Sequence, residues 1–242
     1  MKVQVVQLPR LLDHAQLVDR TVVVFDVLRA TTTITSALAA GVSEIRIFGS
    51  TAEAEQAGKA FVGKRFLVGE RNCLPPPGFD LGNSPGDFSM QLHAGATIFM
   101  STTNGTRAIV AARTAPVVLT GAVVNAFAVA KQLKTIGRDV TLLCSGTDGE
   151  ISQDDEIGAG AVIDSLLKLG GCELEGDVAV MAKGLFDEAV DDLGAVLSAT
   201  QSGQNVLRAG LKKDIDFAAR LDVFTNVGKV FDGPLRVVNA SA

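Results

Sequence analysis

The stretch ATIFMSTTNGTRAIVAA, residues 96–112, changes character twice within seventeen positions. A short apolar run ends at Met100, Ser101 to Arg107 supplies hydroxyls, an amide, a glycine and an arginine, and Ala108 to Ala112 resumes with a helix-like apolar segment. Strand, polar turn, helix is the pattern this spells. Two other stretches repeat it: residues 22–25 run into DVLRATTTITSALAAG, and residues 140–143 into CSGTDGEISQDDEIGAGAVI.

Outward from these three units, β-branched runs alternate with alanine-rich segments along the chain. Strands are expected at 3–6, 22–25, 44–48, 66–69, 97–100, 117–120, 140–144, 178–181 and 235–238, and helices at 32–40, 52–61, 106–112, 126–136, 155–169, 187–200 and 213–221. Such alternation predicts an α/β fold: a mostly parallel or mixed sheet covered by helices on both faces, in three α/β/α layers. The one break in composition is NCLPPPGFDLGNSPGDF at 72–88, with four of the seven prolines, which reads as a stiff ordered loop. Residues 1–242 are therefore expected to form a single α/β domain, or two intimately packed α/β halves joined near 72–96.

Composition excludes several functions. Hydrophobic residues make up 47% of the 242, enough for a sizeable core and against disorder. A net charge of −5 with no Trp or Tyr supplies neither a basic field nor a stacking platform, so no nucleic-acid partner is expected. Neither a secretory leader nor the roughly 18 apolar residues of a membrane span is visible, which predicts a cytoplasmic protein with no membrane partner. Three cysteines, Cys73, Cys144 and Cys172, are far apart and never in a CxxC, so reduced, buried thiols are expected. The apolar surplus makes a homodimer reasonable.

In open α/β sheets, ligands bind outside the carboxyl ends of strands, where helix N-termini present free amides to anions. Three similar loops thus predict one anion-binding crevice. Plain structural roles compete at each residue: Thr31, Thr32, Thr33 and Asn104 could cap helices, Ser152 to Asp155 fits a capping signature, and Asp148-Gly149 could be a turn. Arg29 and Arg107, each just beyond a strand and beside hydroxyls, are better explained as bidentate holders of an oxyanion. GKAFVGKR at 58–65 mimics a phosphate loop but has Arg65 in place of the magnesium-binding hydroxyl and runs from helix to strand; Gly158-Ala159-Gly160 lies inside a helix and needs only close packing.

The two histidines, His14 and His93, lie far from these loops and are expected at the surface, leaving serine or cysteine nucleophiles without a base. Asp26 ends a strand as an aspartyl nucleophile would, but residue 28 is Leu rather than a second Asp. Carboxylates crowd the polar loops instead: Asp26, Glu70, Asp80, Asp148, Glu150, Asp154, Asp155 and Glu156. Magnesium binds through one or two carboxylates, water and substrate phosphate, so Mg2+-assisted hydrolysis of a phosphoester fits this supply.

DVLRATTTITSAL at 26–38, GERNCLPPPGFDLGNSP at 69–85, STTNGTRAI at 101–109 and CSGTDGEISQDDEIGAG at 144–160 together resemble the signature blocks of the 2-phosphosulfolactate phosphatase family, across roughly residues 20–222. The resemblance implies an α/β, magnesium-dependent phosphatase that converts 2-phosphosulfolactate to sulfolactate and phosphate, a step toward coenzyme M. Carried onto matching positions, it implies catalytic roles for Asp26, Arg29, Asn104 and Arg107, substrate binding by Thr31, Thr32, Arg71, Asn72 and Thr103, and metal binding by Glu70, Asp148, Asp154 and Asp155. The chain departs from the family pattern twice: Thr200-Gln201-Ser202-Gly203 stands where a Ser-x-His-Gly element is usual, and Asp154 where Glu is usual. Alternatives are a phosphatase of another small phosphoester, a non-catalytic binder of a phosphorylated metabolite and, last, a phosphotransferase.

Overall fold

The computed structural model describes residues 1–240. Among them ten strands form one sheet: β1 (Lys2–Val6), β2 (Arg20–Phe25), β3 (Glu44–Ile47), β4 (Arg65–Gly69), β5 (Thr97–Ser101), β6 (Val117–Gly121), β7 (Asp139–Cys144), β8 (Glu173–Leu174), β9 (Gly228–Phe231) and β10 (Arg236–Asn239). The helices are α1 (Ala30–Ala39), α2 (Thr51–Ala60), α3 (Met90–His93), α4 (Gly105–Ala112), α5 (Ala126–Ile136), α6 (Gln153–Leu169), α7 (Asp177–Ala189), α8 (Leu193–Ala199), α9 (Gln201–Arg208) and α10 (Lys212–Ala218).

Strand order is β4-β5-β3-β10-β9-β6-β2-β7-β1-β8. Strands β6, β2, β7, β1 and β8 are mutually parallel, as are β4, β5 and β3. Between the two blocks lies the β9–β10 hairpin, antiparallel to β6 on one side and to β3 on the other. The sheet is mixed, as expected, and its two parallel blocks run in opposite senses along the ribbon. Twist of about 20–25° per strand accumulates through β6, β9, β10 and β3, so the blocks need not lie flat beside one another.

Side-chain alternation shows which layer covers which face. On β2, Val23 and Phe25 pack with residues of α5, α6 and α7, while Val22 and Val24 pack with α1 and α4. Ile98 and Met100 of β5 join that second cluster, whereas Phe99 is buried on the other face of the sheet with Ala54 of α2 and Leu67. Helices α1 and α4 therefore share a core with both blocks, and other helices cover the opposite faces. Each Val, Leu or Ile buried in these layers contributes about 1.5–3 kcal/mol.

The expected strand at 178–181 is instead the first turn of α7. Its buried residues, Ala179, Ala182, Phe186 and Ala189, recur at helical spacing against α6, which outweighs the β-branched pair Val178 and Val180. The expected helix at 187–200 divides into the end of α7, a 3-10 turn and α8, and α9 follows it. Close packing of α6 on α7 depends on Gly160, where a Cβ would lie 2.1 Å from the Ala182 carbonyl oxygen.

His93 is also corrected: it is 2% exposed, between the rings of Phe66 and Phe88, with Nδ1 near the Ser89 backbone. Phe66 and Phe88 give it an aromatic niche that its short-range sequence does not announce. His14 is exposed, as expected. All three cysteines are free; Cys144 is buried, while Cys73 and Cys172 are only partly so. Among the described residues no helix is long and apolar enough to cross a membrane.

Candidate active site

The carboxyl ends of β2, β4, β5 and β7 meet at a cavity of about 480 Å³, closed from the side by α9. Asp26, the first residue after β2, lines it. The Ala30 amide donates to Asp26 Oδ1 at 3.0 Å, and the Gly105 amide also bonds this carboxylate, so the N-termini of α1 and α4 converge on one side chain. A Cβ on Gly105 would sit 2.8 Å from Asp26 Oδ2 and 2.7 Å from Ala30 Cβ, so glycine is what permits the approach. Burial, with the charges of Asp154 and Glu70, pushes the Asp26 carboxyl up to about 6 against the pull of those amides.

Glu70 follows β4 and joins two loops: Oε1 accepts from the Thr103 amide at 2.8 Å and Oε2 from the Cys73 amide at 3.1 Å. Beside it, Asn72 and Cys73 form a tight turn closed by reciprocal Arg71–Leu74 backbone bonds. Thr103 and Asn104 line the cavity from the β5 loop, and the Asn104 side chain caps nothing although the residue stands at the N-cap of α4. On the far side, Asp148-Gly149 is the turn that its sequence suggested, closed by Thr147–Glu150 backbone bonds, and it also brings Asp148 to the cavity.

Arg29 is 3% exposed and lines the cavity. Its Nη1 pairs with Asp214 of α10 at 2.6 Å and its Nη2 donates to the Cys73 carbonyl at 2.6 Å. The Nε donor has no protein acceptor among the described residues, so the guanidinium is positioned as well as charged.

Asp154 lies one layer behind the wall. Ser152 Oγ donates to its Oδ1 at 2.6 Å and the Leu28 amide to its Oδ2 at 3.1 Å. Ser152 in turn meets Ser202 at 2.9 Å, and Ser202 meets Thr147 at 2.7 Å, so a chain of hydroxyls connects the buried carboxylate to two residues of the cavity surface. Burial raises the Asp154 carboxyl, and the Ser152 and Ser202 hydroxyls oppose the rise.

The remaining sequence candidates are placed elsewhere. Asp155 is a scaffold residue: Oδ1 accepts from the Val27 amide, and Oδ2 from the Ser145 amide and hydroxyl and the Gly146 amide, which ties the β2 loop to the β7 loop. It does not line the cavity. Thr31 and Thr32 are fully buried, their hydroxyls donating to the Asp26 and Val27 carbonyls, so they neither cap α1 nor line the cavity. Thr33 donates to the Asn83 carbonyl instead of capping. Arg107 is exposed in the first turn of α4, whose buried face is Thr106, Ala108 and Ile109; Arg71 is exposed and donates to the Glu70 carbonyl. Neither lines the cavity.

Sequence reading singled out Ser202 but missed the rest of that wall: Asn205, Val206 and Arg208 of α9, and Ala209 at its end. The available signal was Thr200, whose hydroxyl accepts from the Gly203 amide as an N-cap.

Among the described residues no three His, Cys, Asp or Glu side chains form a ready-made metal cage. Magnesium does not need one, because it retains waters and takes one or two carboxylates plus phosphate. Asp26 and Glu70 fit that donor set: both face the cavity, the Glu70 charge helps to raise the Asp26 carboxyl, and neither has a Lys or Arg in ion-pair contact among the described residues.

The model of a family described as 2-phosphosulpholactate phosphatase matches residues 6–233. A protein of Carboxydothermus hydrogenoformans named probable 2-phosphosulfolactate phosphatase is 39% identical over 223 residues, covering 92% of this chain and 90% of that protein. Proteins bearing the same name from Clostridium novyi and Deinococcus radiodurans are 39% and 40% identical, covering 85% and 82% of this chain and 86% and 82% of their own lengths.

Proposed function

The chain belongs to the 2-phosphosulfolactate phosphatase family, and we propose that its cavity hydrolyses 2-phosphosulfolactate to sulfolactate and inorganic phosphate with Mg2+ bound. Membership makes it a phosphoric monoester hydrolase; the particular ester, the magnesium requirement, the coenzyme M setting and a cytoplasmic location are parts of the proposal. The observation that carries it is the joint exposure to one cavity of Asp26 and Glu70, without cationic partners, beside the buried Arg29. A polyanionic ester entering that cavity meets two carboxylates, which repel it unless a divalent cation lies between them.

Asp26 and Glu70 would hold the ion. When bound, Mg2+ supplies charge neutralisation at the phosphoryl oxygens and a more acidic water. The protein's own groups do the rest. Arg29 offers its Nε–H to a phosphoryl oxygen while Asp214 and the Cys73 carbonyl fix the plane of the fork. Asn104 and Thr103 offer further polar contacts from the start of α4. Ser202 and Thr147 orient the attacking water, with their hydroxyl chain ending on the acceptor Asp154. As the water oxygen attacks phosphorus its proton passes along the Thr147, Ser202 and Ser152 hydroxyls to Asp154, the ester P–O bond breaks, and the leaving alkoxide takes a proton from solvent to become the alcohol, Asp154 returning its own to solvent.

Release of inorganic phosphate from 2-phosphosulfolactate by the purified chain, with Mg2+ and with excess EDTA, tests the reading. Turnover that EDTA abolishes and Mg2+ restores is expected. Turnover of other esters only removes the substrate, and turnover in EDTA removes the metal. Binding without turnover of any ester would leave a non-catalytic binder.

A further inference from the structure

The cavity wall holds two guanidiniums in different states. Arg29 is already neutralised by Asp214. Arg208 is not: it stands at the exposed rim of the cavity, no carboxylate lies within ion-pair distance of it among the described residues, and its Nη2 donates to the side-chain oxygen of Asn205, three residues earlier on α9. Asn205 also lines the cavity, so the pair faces the same space as Asp26 and Glu70 but stands on a different element.

An unneutralised cation in the wall of a cavity suited to a phosphoester asks for an anion of its own. The phosphoryl group is the business of Arg29, the carboxylate pair and the α4 loop. We infer that Arg208, aimed by Asn205, receives a second oxyanion of the substrate, a carboxylate or sulfonate on the carbon skeleton, and so selects acidic phosphoesters over those of neutral alcohols. The inference rests on the phosphoester reading of this cavity and adds a specificity-determining residue to it. A guanidinium suits the role because its planar fork grips two oxygens at once, which the ammonium of lysine does not.

The test is calorimetric, with Mg2+ present and 3-sulfolactate as probe: it carries both candidate oxyanions and no phosphoryl group. The parent chain should bind it, and Arg208→Ala should weaken that binding at least tenfold while leaving inorganic phosphate within twofold. Arg208→Lys should recover part of the loss. Lactate and 2-hydroxyethanesulfonate, compared in the same variants, tell which oxyanion Arg208 takes. Unchanged sulfolactate affinity in Arg208→Ala, an equal loss for phosphate, or no sulfolactate binding by the parent would overturn the inference. Arg208-dependent sulfolactate binding without phosphate release from any ester would sink the hydrolase reading alone; hydrolysis with Arg208-independent binding would sink this inference alone.

Discussion

Arg29 donates to Asp214 at 2.6 Å with the two side chains only 3% and 7% exposed, joining the loop after β2 to α10 across 185 residues of sequence. The pair holds α10 to the mouth of the site, and it gives Arg29 a structural role beside the catalytic one proposed for it. Arg29→Met should therefore cost about 3–5 kcal/mol, because Asp214 remains buried without its cation. The double variant Arg29→Met/Asp214→Leu should regain most of that stability and none of the activity. Urea unfolding alongside phosphate release checks both; a single variant losing under about 1 kcal/mol would show that Asp214 finds another partner.

Asp26 predicts an opposition between function and stability. Its carboxyl is raised from 3.8 to about 6 in the folded chain, so the native state binds the proton more tightly than the unfolded state does. The contribution is fully present below pH 3.8 and disappears as pH rises through about 6, a difference on the order of 3 kcal/mol. Asp26→Asn should thus raise the melting temperature at pH 7.5 in EDTA while reducing phosphate release at least a thousandfold. Mg2+ should stabilise the parent more than the variant. A variant melting below the parent in EDTA would mean that the Ala30 and Gly105 amides outweigh burial.

Ser202 stands where the resemblance drawn from the sequence implies a histidine, and its hydroxyl bridges Thr147 and Ser152. Ser202→Ala should lower kcat about tenfold, the equivalent of one hydrogen bond of ~1.4 kcal/mol, with KM little changed. Ser202→His should add a limb near pH 6.5 to the rate profile, falling above it if the imidazolium protonates the leaving oxygen. A pH profile superimposable on the parent's would remove any proton-transfer role from this position.

Gly160→Ala probes the scaffold without touching the cavity. The added carbon would press on the Ala182 carbonyl, which is backbone and cannot rotate away. Separation of α6 from α7 should cost about 1–3 kcal/mol in thermal or urea unfolding. An unchanged midpoint would show that the helix pair slides freely.

Local pattern made the central strands and their polar endings legible, because β2, β5 and β7 bury both faces and then change character abruptly. Asp26, Thr103, Asn104 and Asp148 reach the cavity from such endings, and Glu70 and Asn72 from the loop after β4. Residue type alone could not separate Arg29 from Arg107: each follows a strand, and only tertiary packing turns one inward and the other to solvent. Nor could it show that Asp155 is consumed by four local donors while Asp154 communicates with the cavity. Strands β8 and β9 escaped notice because two residues, or four beginning with glycine, carry no readable alternation. Helix α9 was hidden by its polar, glycine-containing first turn.

The β9–β10 hairpin sets the timetable of folding. These strands come after residue 227, yet they occupy the centre of the sheet and stitch β3 to β6. Both neighbours must wait on the ribosome with bare edges until residues 228–239 have emerged, and the two blocks cannot be oriented by a common ladder before then. Such late, long-range closure favours slow folding and leaves the nascent chain open to association through those edges.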